Sequence, residues 1–175
     1  MLLMSISHIN VACFRGAFDR NVEIVNLVHW LENVRPTERM VVANKKALPA
    51  MMPHGSFVSR RADGIMTHSG LVQIDIDAKH QGQGFNAESI AEELGQQSFV
   101  VAAGLSCSGA GVYALAAVEG ITQDNHSDKA RQVIELIESR FEVVVDRPVS
   151  VNLASLRFAS PFAPFINLDA TPFSL

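Results

Sequence analysis

Asp75 and Asp77 stand one residue apart at the end of the apolar run Leu71-Val72-Gln73-Ile74. If that run is a β-strand, side chains alternate between its faces and the two carboxylates share one. At about 3.3 Å rise per residue their Cα atoms lie roughly 6–7 Å apart. That spacing suits one divalent cation, or the start of a two-metal site. Two neighbouring anions ending a strand are costly unless a positive charge lies between them. A metal ion meets that need, and so does an Arg or Lys from elsewhere in the fold. Oxygen-only ligands favour Mg²⁺ or Mn²⁺. A bare Asp-x-Asp also occurs where the pair simply caps the next turn.

A second group is the turn Ser106-Cys107-Ser108-Gly109-Ala110-Gly111. Glycines let backbone approach a ligand closely, and successive N–H groups with hydroxyls can cradle phosphate oxygens. The plain alternative is a hairpin whose glycines serve turn geometry. Asp146 could complete a carboxylate triad, and Arg157 could clamp a triphosphate bidentately; a surface Asp146–Arg147 pair is the competing reading. His68 and His80 flank the aspartate pair without metal-type spacing, so a hydrogen-bonded structural role is expected for them. Neither Cys107 nor the turn serines have a visible base and orienting partner, so nucleophilic catalysis is not expected.

These residues need elements to position them. Residues 5–14 partly alternate and read as a strand. Val22, Val25, Val28 and Leu31 repeat near helical spacing over 22–34, with Pro36 beyond. Short strands are expected at 39–43 and 56–60, with a loop at 48–55 between them. A strand at 70–77 leads to a helix at 87–97 that Asn86 can cap. Strands at 98–104 and 111–118 follow. Then comes a helix capped by Ser127 or Asp128, with Val133, Ile134 and Ile137 on one face. A strand at 142–146 ends in Asp146. The order is β-α-β-β-α-β, a split unit giving an antiparallel four-stranded sheet with both helices on one face.

The expected fold is therefore α+β: a ferredoxin/RRM-like palm at 67–146, an N-terminal α/β extension at 1–66 and a C-terminal wrap at 147–175 with a possible strand at 155–159. In the plain version of that sheet the last strand runs antiparallel to the first, which carries Asp146 away from Asp77.

The chain has 175 residues, 48% of them apolar, enough for one domain with its own core. Two cysteines without metal-type spacing point to a reduced, cytoplasmic setting. Met1-Leu2-Leu3-Met4 lacks the basic and apolar regions of a signal peptide, and no membrane span is expected. A formal net charge of −4 argues against binding nucleic acid by bulk electrostatics. It leaves room for a local basic groove, for which Lys45, Lys46, Arg60 and Arg61 are candidates; a solvated surface is the alternative.

Together, Leu48-Pro49-Ala50, Gly55-Ser56-Phe57 with Arg60, His68-Ser69-Gly70-Leu71 leading to Asp75-Ile76-Asp77, Ser106-x-Ser108-Gly109-x-Gly111, and Asn152 to Arg157 with Asn167 form a familiar series. It resembles the VirE-type (BT4734-like) N-terminal domain, within the archaeo-eukaryotic primase (primase-polymerase) superfamily, across nearly the whole chain. The resemblance implies three motifs. Asp75 and Asp77 match the metal-binding Asp-x-Asp. Ser108, Gly109 and Gly111 match a hairpin that precedes a nucleotide-contacting histidine, but Tyr113 stands where that histidine is expected. Asp146 matches the late acidic residue, and Arg157 suits phosphate contact.

The implied activity is a nucleotidyltransferase of a mobile-element or phage-type DNA replication protein, using Mg²⁺ or Mn²⁺. Asp75, Asp77 and Asp146 would be catalytic and hold metal. Ser106, Ser108, Gly109, Gly111, Tyr113 and Arg157 would bind nucleotide, and Lys45, Lys46 and Arg60 the DNA template. A helicase or primase C-terminal region is the expected neighbour. The alternatives are a non-catalytic nucleic-acid- or nucleotide-binding module and a metal-dependent nuclease or phosphoesterase.

Overall fold

The structure is a computed structural model whose described residues are 5–174; Met1–Met4, the segment read for a signal peptide, lies outside them. In chain order the elements are β1 (Asn10–Phe14), β2 (Glu23–Asn26), α1 (Leu27–Asn33), α2 (Glu38–Ala43), β3 (Ala50–Met52), β4 (Gly55–Phe57) and β5 (Ile65–His68). Next come β6 (Leu71–Ile76), α3 (Ala87–Gly95), β7 (Val100–Leu105), β8 (Val112–Ala117) and α4 (His126–Phe141). The last are α5 (Arg147–Val151), β9 (Arg157–Phe158) and β10 (Phe165–Ile166). Short 3-10 turns include Lys45–Ala47 and Ala78–His80.

The fold is mixed α+β with antiparallel sheets. One sheet has the order β2-β1-β3-β9, the second β10-β7-β8-β6, and β4 pairs with β5. Strand alternation decides what each face of β6 meets. Val72, Ile74 and Ile76 pack with Val112, Ala114 and Ala116 of β8 against Ala91 and Leu94 of α3 and Val133, Ile134 and Ile137 of α4. Both helices therefore cover one face of the second sheet, as expected. Leu71 and Leu115, on the other face, join Val11, Cys13, Met51, Trp30 and Leu31 of the N-terminal part. With both faces covered, β8 is buried along its whole length. By the same alternation Gln73 and Asp75 point between the two sheets.

Several local expectations are corrected. The 22–34 segment is not one helix: Glu23–Asn26 pairs with β1 as an edge strand, and Asn26 then caps α1 by accepting the His29 N–H at 3.1 Å. Residues 38–43 form a helix rather than a strand, because Thr37 caps it and Glu38 sits in its first turn. The expected 48–55 loop contains β3, the strand linking β1 to β9. The first expected strand begins only at Asn10, after a 3-10 turn. Neither Ser127 nor Asp128 caps α4; Asn125 precedes it, and its side chain instead accepts the Thr122 N–H at 2.7 Å.

The most consequential difference is at 142–146, which is not a strand. Glu142 takes a left-handed conformation, φ 53°, and ends α4. The next amides go to side chains: Val144 N–H donates to Gln81 Oε1 at 2.9 Å and Val145 N–H to Glu138 Oε1 at 3.1 Å. Asp146 N–H donates to the Asp75 carbonyl at 2.7 Å. The fourth strand of the sheet comes instead from the tail, as β10 beside β7. The tail also supplies β9 to the first sheet. Among the described residues no helix is long and apolar enough to cross a membrane.

Candidate functional site

Asp75 faces Tyr113 across the β6–β8 pair, and Tyr113 in turn faces Gly104 of β7. A Cβ on Gly104 would lie 3.3 Å from Tyr113 Cε1, so the missing side chain makes room for the ring. On this bed lies Arg157 of β9, its guanidinium carbon 3.3 Å from the Tyr113 ring centroid. Arg157 is 5% exposed. Its Nη1 approaches Asp75 Oδ1 at 3.9 Å, and its Nη2 is buried without a partner. The strand-end charge problem thus has a cation supplied by the fold, one of the two solutions open from sequence. Burial pushes the Asp75 carboxyl above the usual carboxylate range, while Arg157 pulls the other way.

Asp77 is held differently. It caps the Ala78–His80 turn and pairs with Lys79 Nζ at 2.7 Å. The hydrogen bond from the Lys79 side chain holds its carboxyl below the ordinary value. Asp146 caps α5 by accepting the Val149 N–H at 3.3 Å. α5 also fixes β6, since the Asp75 N–H donates to Ser150 Oγ at 3.3 Å. The extended 143–146 segment therefore delivers Asp146 to Asp75 rather than carrying it away from the pair. Asp75, Asp77 and Asp146 line one cavity of about 300 Å³.

The serine–glycine turn borders the same cavity through Ser106, Ser108 and Gly111. Ser106 Oγ accepts the Gly111 N–H at 3.2 Å and lies 3.2 Å from Ser108 Oγ. A Cβ at Gly111 would sit 2.6 Å from the Ile76 carbonyl oxygen, so only glycine lets the turn press on the strand end that carries Asp77. Gly109, at φ 75°, supplies the left-handed step and packs on Phe162. Lys45 and Phe158 complete one wall.

Not every expected residue reaches the cavity. Tyr113 is 3% exposed and lies beneath Arg157. Lys46 extends over the Phe18 ring, and Arg60 donates to the Ala17 carbonyl. His80 sits in the Ala78–His80 turn. His68 belongs to a separate cluster, its Nε2 3.1 Å from His126 Nδ1, with the His54 and His126 ring centroids 4.4 Å apart.

Sequence reasoning missed Gln73, Lys79 and Ser150. Gln73 carried a signal: it is the polar residue within the apolar run and shares the face of Asp75. It lines the cavity with a buried, unpartnered Oε1. Lys79 stood two residues after Asp77, within reach of its carboxylate. Ser150 carried no signal, because its role is one hydrogen bond from a distant helix.

The cavity is thus a charged pocket in which Asp75, Asp77 and Asp146 are matched by Lys45, Lys79 and Arg157, set between a helix-backed sheet and an N-terminal sheet. Among the described residues no three His, Cys, Asp or Glu side chains are close enough to hold a metal ion as placed. The donor set nonetheless fits Mg²⁺ or Mn²⁺ in kind, with three carboxylates and two hydroxyls among the residues that line the cavity. A family model described as the BT4734-like, N-terminal domain matches residues 43–150, more than half of the chain. The chain belongs to that family. No curated protein and no solved structure matches it. The matched segment contains both aspartates of the pair, the serine–glycine turn and Asp146, whereas Arg157 follows it.

Proposed function

We propose that this domain transfers nucleotidyl groups from a nucleoside triphosphate to a nucleic-acid 3′-hydroxyl, as a primase-polymerase palm of a mobile-element or phage-type replication system. The observation that carries this reading is the meeting of Asp75, Asp77 and Asp146 with the serine–glycine turn and Arg157 on one cavity. Asp75, Asp77 and Asp146 would hold Mg²⁺ or Mn²⁺. The bound ions would activate the hydroxyl and neutralise charge on the leaving pyrophosphate. Arg157 lines the cavity, and its guanidinium would donate to a phosphate oxygen bound there. Ser106 and Ser108 offer hydroxyls beside it, and Lys45 adds a positive charge at the wall.

Asp75 and Asp77 already have cationic partners, which keep the pocket's charge balanced. Those partners and Tyr113 in place of a histidine favour a second reading, a nucleotide- or nucleic-acid-binding module without catalysis.

The test is metal-dependent nucleotide incorporation on primed and unprimed DNA templates. Incorporation lost in Asp75→Ala plus Asp77→Ala supports transfer. Activity surviving that double change sinks the mechanism. Triphosphate binding indifferent to Mn²⁺, with no incorporation, selects the module.

A further inference from the structure

Phe18 stands 78% exposed on the N-terminal side of the molecule. A single exposed apolar residue is ordinary, but its surroundings are not. The loop that carries it is tied down: Ala17 N–H donates to the Lys46 carbonyl at 2.7 Å, and the Arg60 guanidinium donates to the Ala17 carbonyl. A Cβ on the neighbouring Gly16 would lie 3.0 Å from that Lys46 carbonyl oxygen, so the loop seats closely on the Lys45–Ala47 turn. The ring is therefore presented on anchored backbone.

Two cation–ring pairs, built on the adjacent residues Lys46 and Lys45, connect Phe18 to the cavity wall. Lys46 Nζ lies 5.6 Å from the Phe18 ring centroid, and Lys45 Nζ lies 5.7 Å from that of Phe158. Lys45 and Phe158 both line the cavity. Residues 15–61 hold eight Lys and Arg against four Asp and Glu, a local surplus of four positive charges in a chain of formal net charge −4.

We propose that this face binds single-stranded nucleic acid, with Phe18 as a stacking platform for a base and Lys45, Lys46 and Arg60 contacting backbone phosphates. An exposed ring flanked by cations suits unpaired bases, whose π-faces are free, and is poorly used by a duplex, whose bases are stacked on one another. Lys45 and Phe158 then lead the strand towards Asp75. The proposal deepens the nucleotidyl-transfer reading and rests on it for the direction of the strand; binding at Phe18 can be measured apart from catalysis.

The experiment is fluorescence anisotropy with a labelled 16-nucleotide oligo-dT strand and the whole chain. Phe18→Ala should weaken binding about 5- to 100-fold, the range for one lost base stack, while Phe18→Trp retains it. Phe18 makes little core contact, so the alanine variant should unfold at the wild-type temperature. Lys45→Gln plus Lys46→Gln should flatten the slope of log K against log salt by about 1.4, at about 0.7 per single-strand phosphate contact. Asp75→Ala plus Asp77→Ala should still bind the oligonucleotide. Wild-type affinity in Phe18→Ala, or a 16-base-pair duplex held as tightly as the single strand, overturns the proposal. If Phe18 governs binding yet no nucleotide is incorporated, the surface stands and the catalytic reading falls. If nucleotide is incorporated but Phe18→Ala leaves binding unchanged, the catalytic reading stands and the surface falls.

Discussion

Acid should destabilise this protein through the buried histidines that join the β4–β5 region to α4. His68 Nδ1 accepts the Gly70 N–H at 3.0 Å. A neutral His68 then carries its proton on Nε2 and donates it to His126 Nδ1. That assigns the His126 proton to Nε2, which is buried without a partner. His54 donates from Nδ1 to the Leu153 carbonyl at 3.1 Å, and its Nε2 accepts the Gln73 N–H at 3.2 Å. No ring has an acceptor waiting for an added proton.

Burial accordingly pulls His68 and His126 down from 6.5 to about 4, and His54 well below its ordinary value. A depressed histidine binds fewer protons folded than unfolded. Its stabilising effect is complete above pH 6.5 and is lost as pH falls towards 4. For His126, 2% exposed, the change between pH 7 and pH 4.5 comes to about 2 kcal/mol. His68, more exposed and sharing the same hydrogen bond, adds less than a second such increment. Asp75 acts in the opposite sense: its raised carboxyl favours the folded state at acid pH and loses that effect as pH rises.

Urea denaturation at pH 7, 5.5 and 4.5 measures the net change. Repeating it with His126→Phe removes one titrating group and leaves the Asp75 contribution in place. The variant should lose about 2 kcal/mol less than wild type over that interval. Identical pH dependence of the two proteins would refute the assignment of these rings as buried and neutral.

Other predictions follow from the site and the core. Arg157→Met leaves the half-buried Asp75 carboxylate without its cation and should cost about 1–3 kcal/mol in chemical denaturation; adding Asp75→Asn should recover most of it. Gly111→Ala drives a Cβ to 2.6 Å from the Ile76 carbonyl oxygen, so thermal melting should show a loss of about 1–3 kcal/mol as the turn shifts. Ile134→Ala, at a fully buried position between α4 and the second sheet, should lower stability by about 2–5 kcal/mol without altering triphosphate affinity.

Sequence made the middle of the molecule legible because local signals and tertiary fold agree there. The apolar run before Asp75, the Asn86 cap, and the alternation of strand and helix from β6 to α4 all point to the structure that forms. The ends were harder. Val41 and Val42 suggest a strand, but the Thr37 cap carries the segment into a helix. Residues 142–146 have strand composition, yet Gln81 and Glu138 side chains take their amides, a long-range competition no local pattern reveals.

The same competition explains why local pattern alone sets Asp146 too far from the pair. The aspartates themselves are visible by type and spacing. Their partners divide: Lys79 is near in sequence and easily overlooked, whereas Arg157, expected at a phosphate, also serves Asp75. Tyr113 reads in sequence as a substitute for a histidine; its ring is the surface on which Arg157 lies, a role set by Gly104 on the neighbouring strand.

The proposed site is tested most directly by calorimetric titration of a nucleoside triphosphate with and without Mn²⁺, on wild type and on Asp75→Ala plus Asp77→Ala. Mn²⁺ should strengthen binding in the wild type, and that metal dependence should be gone from the double variant. Triphosphate affinity unchanged by Mn²⁺ in the wild type, or metal dependence that survives loss of both aspartates, would contradict a metal site built on this pair.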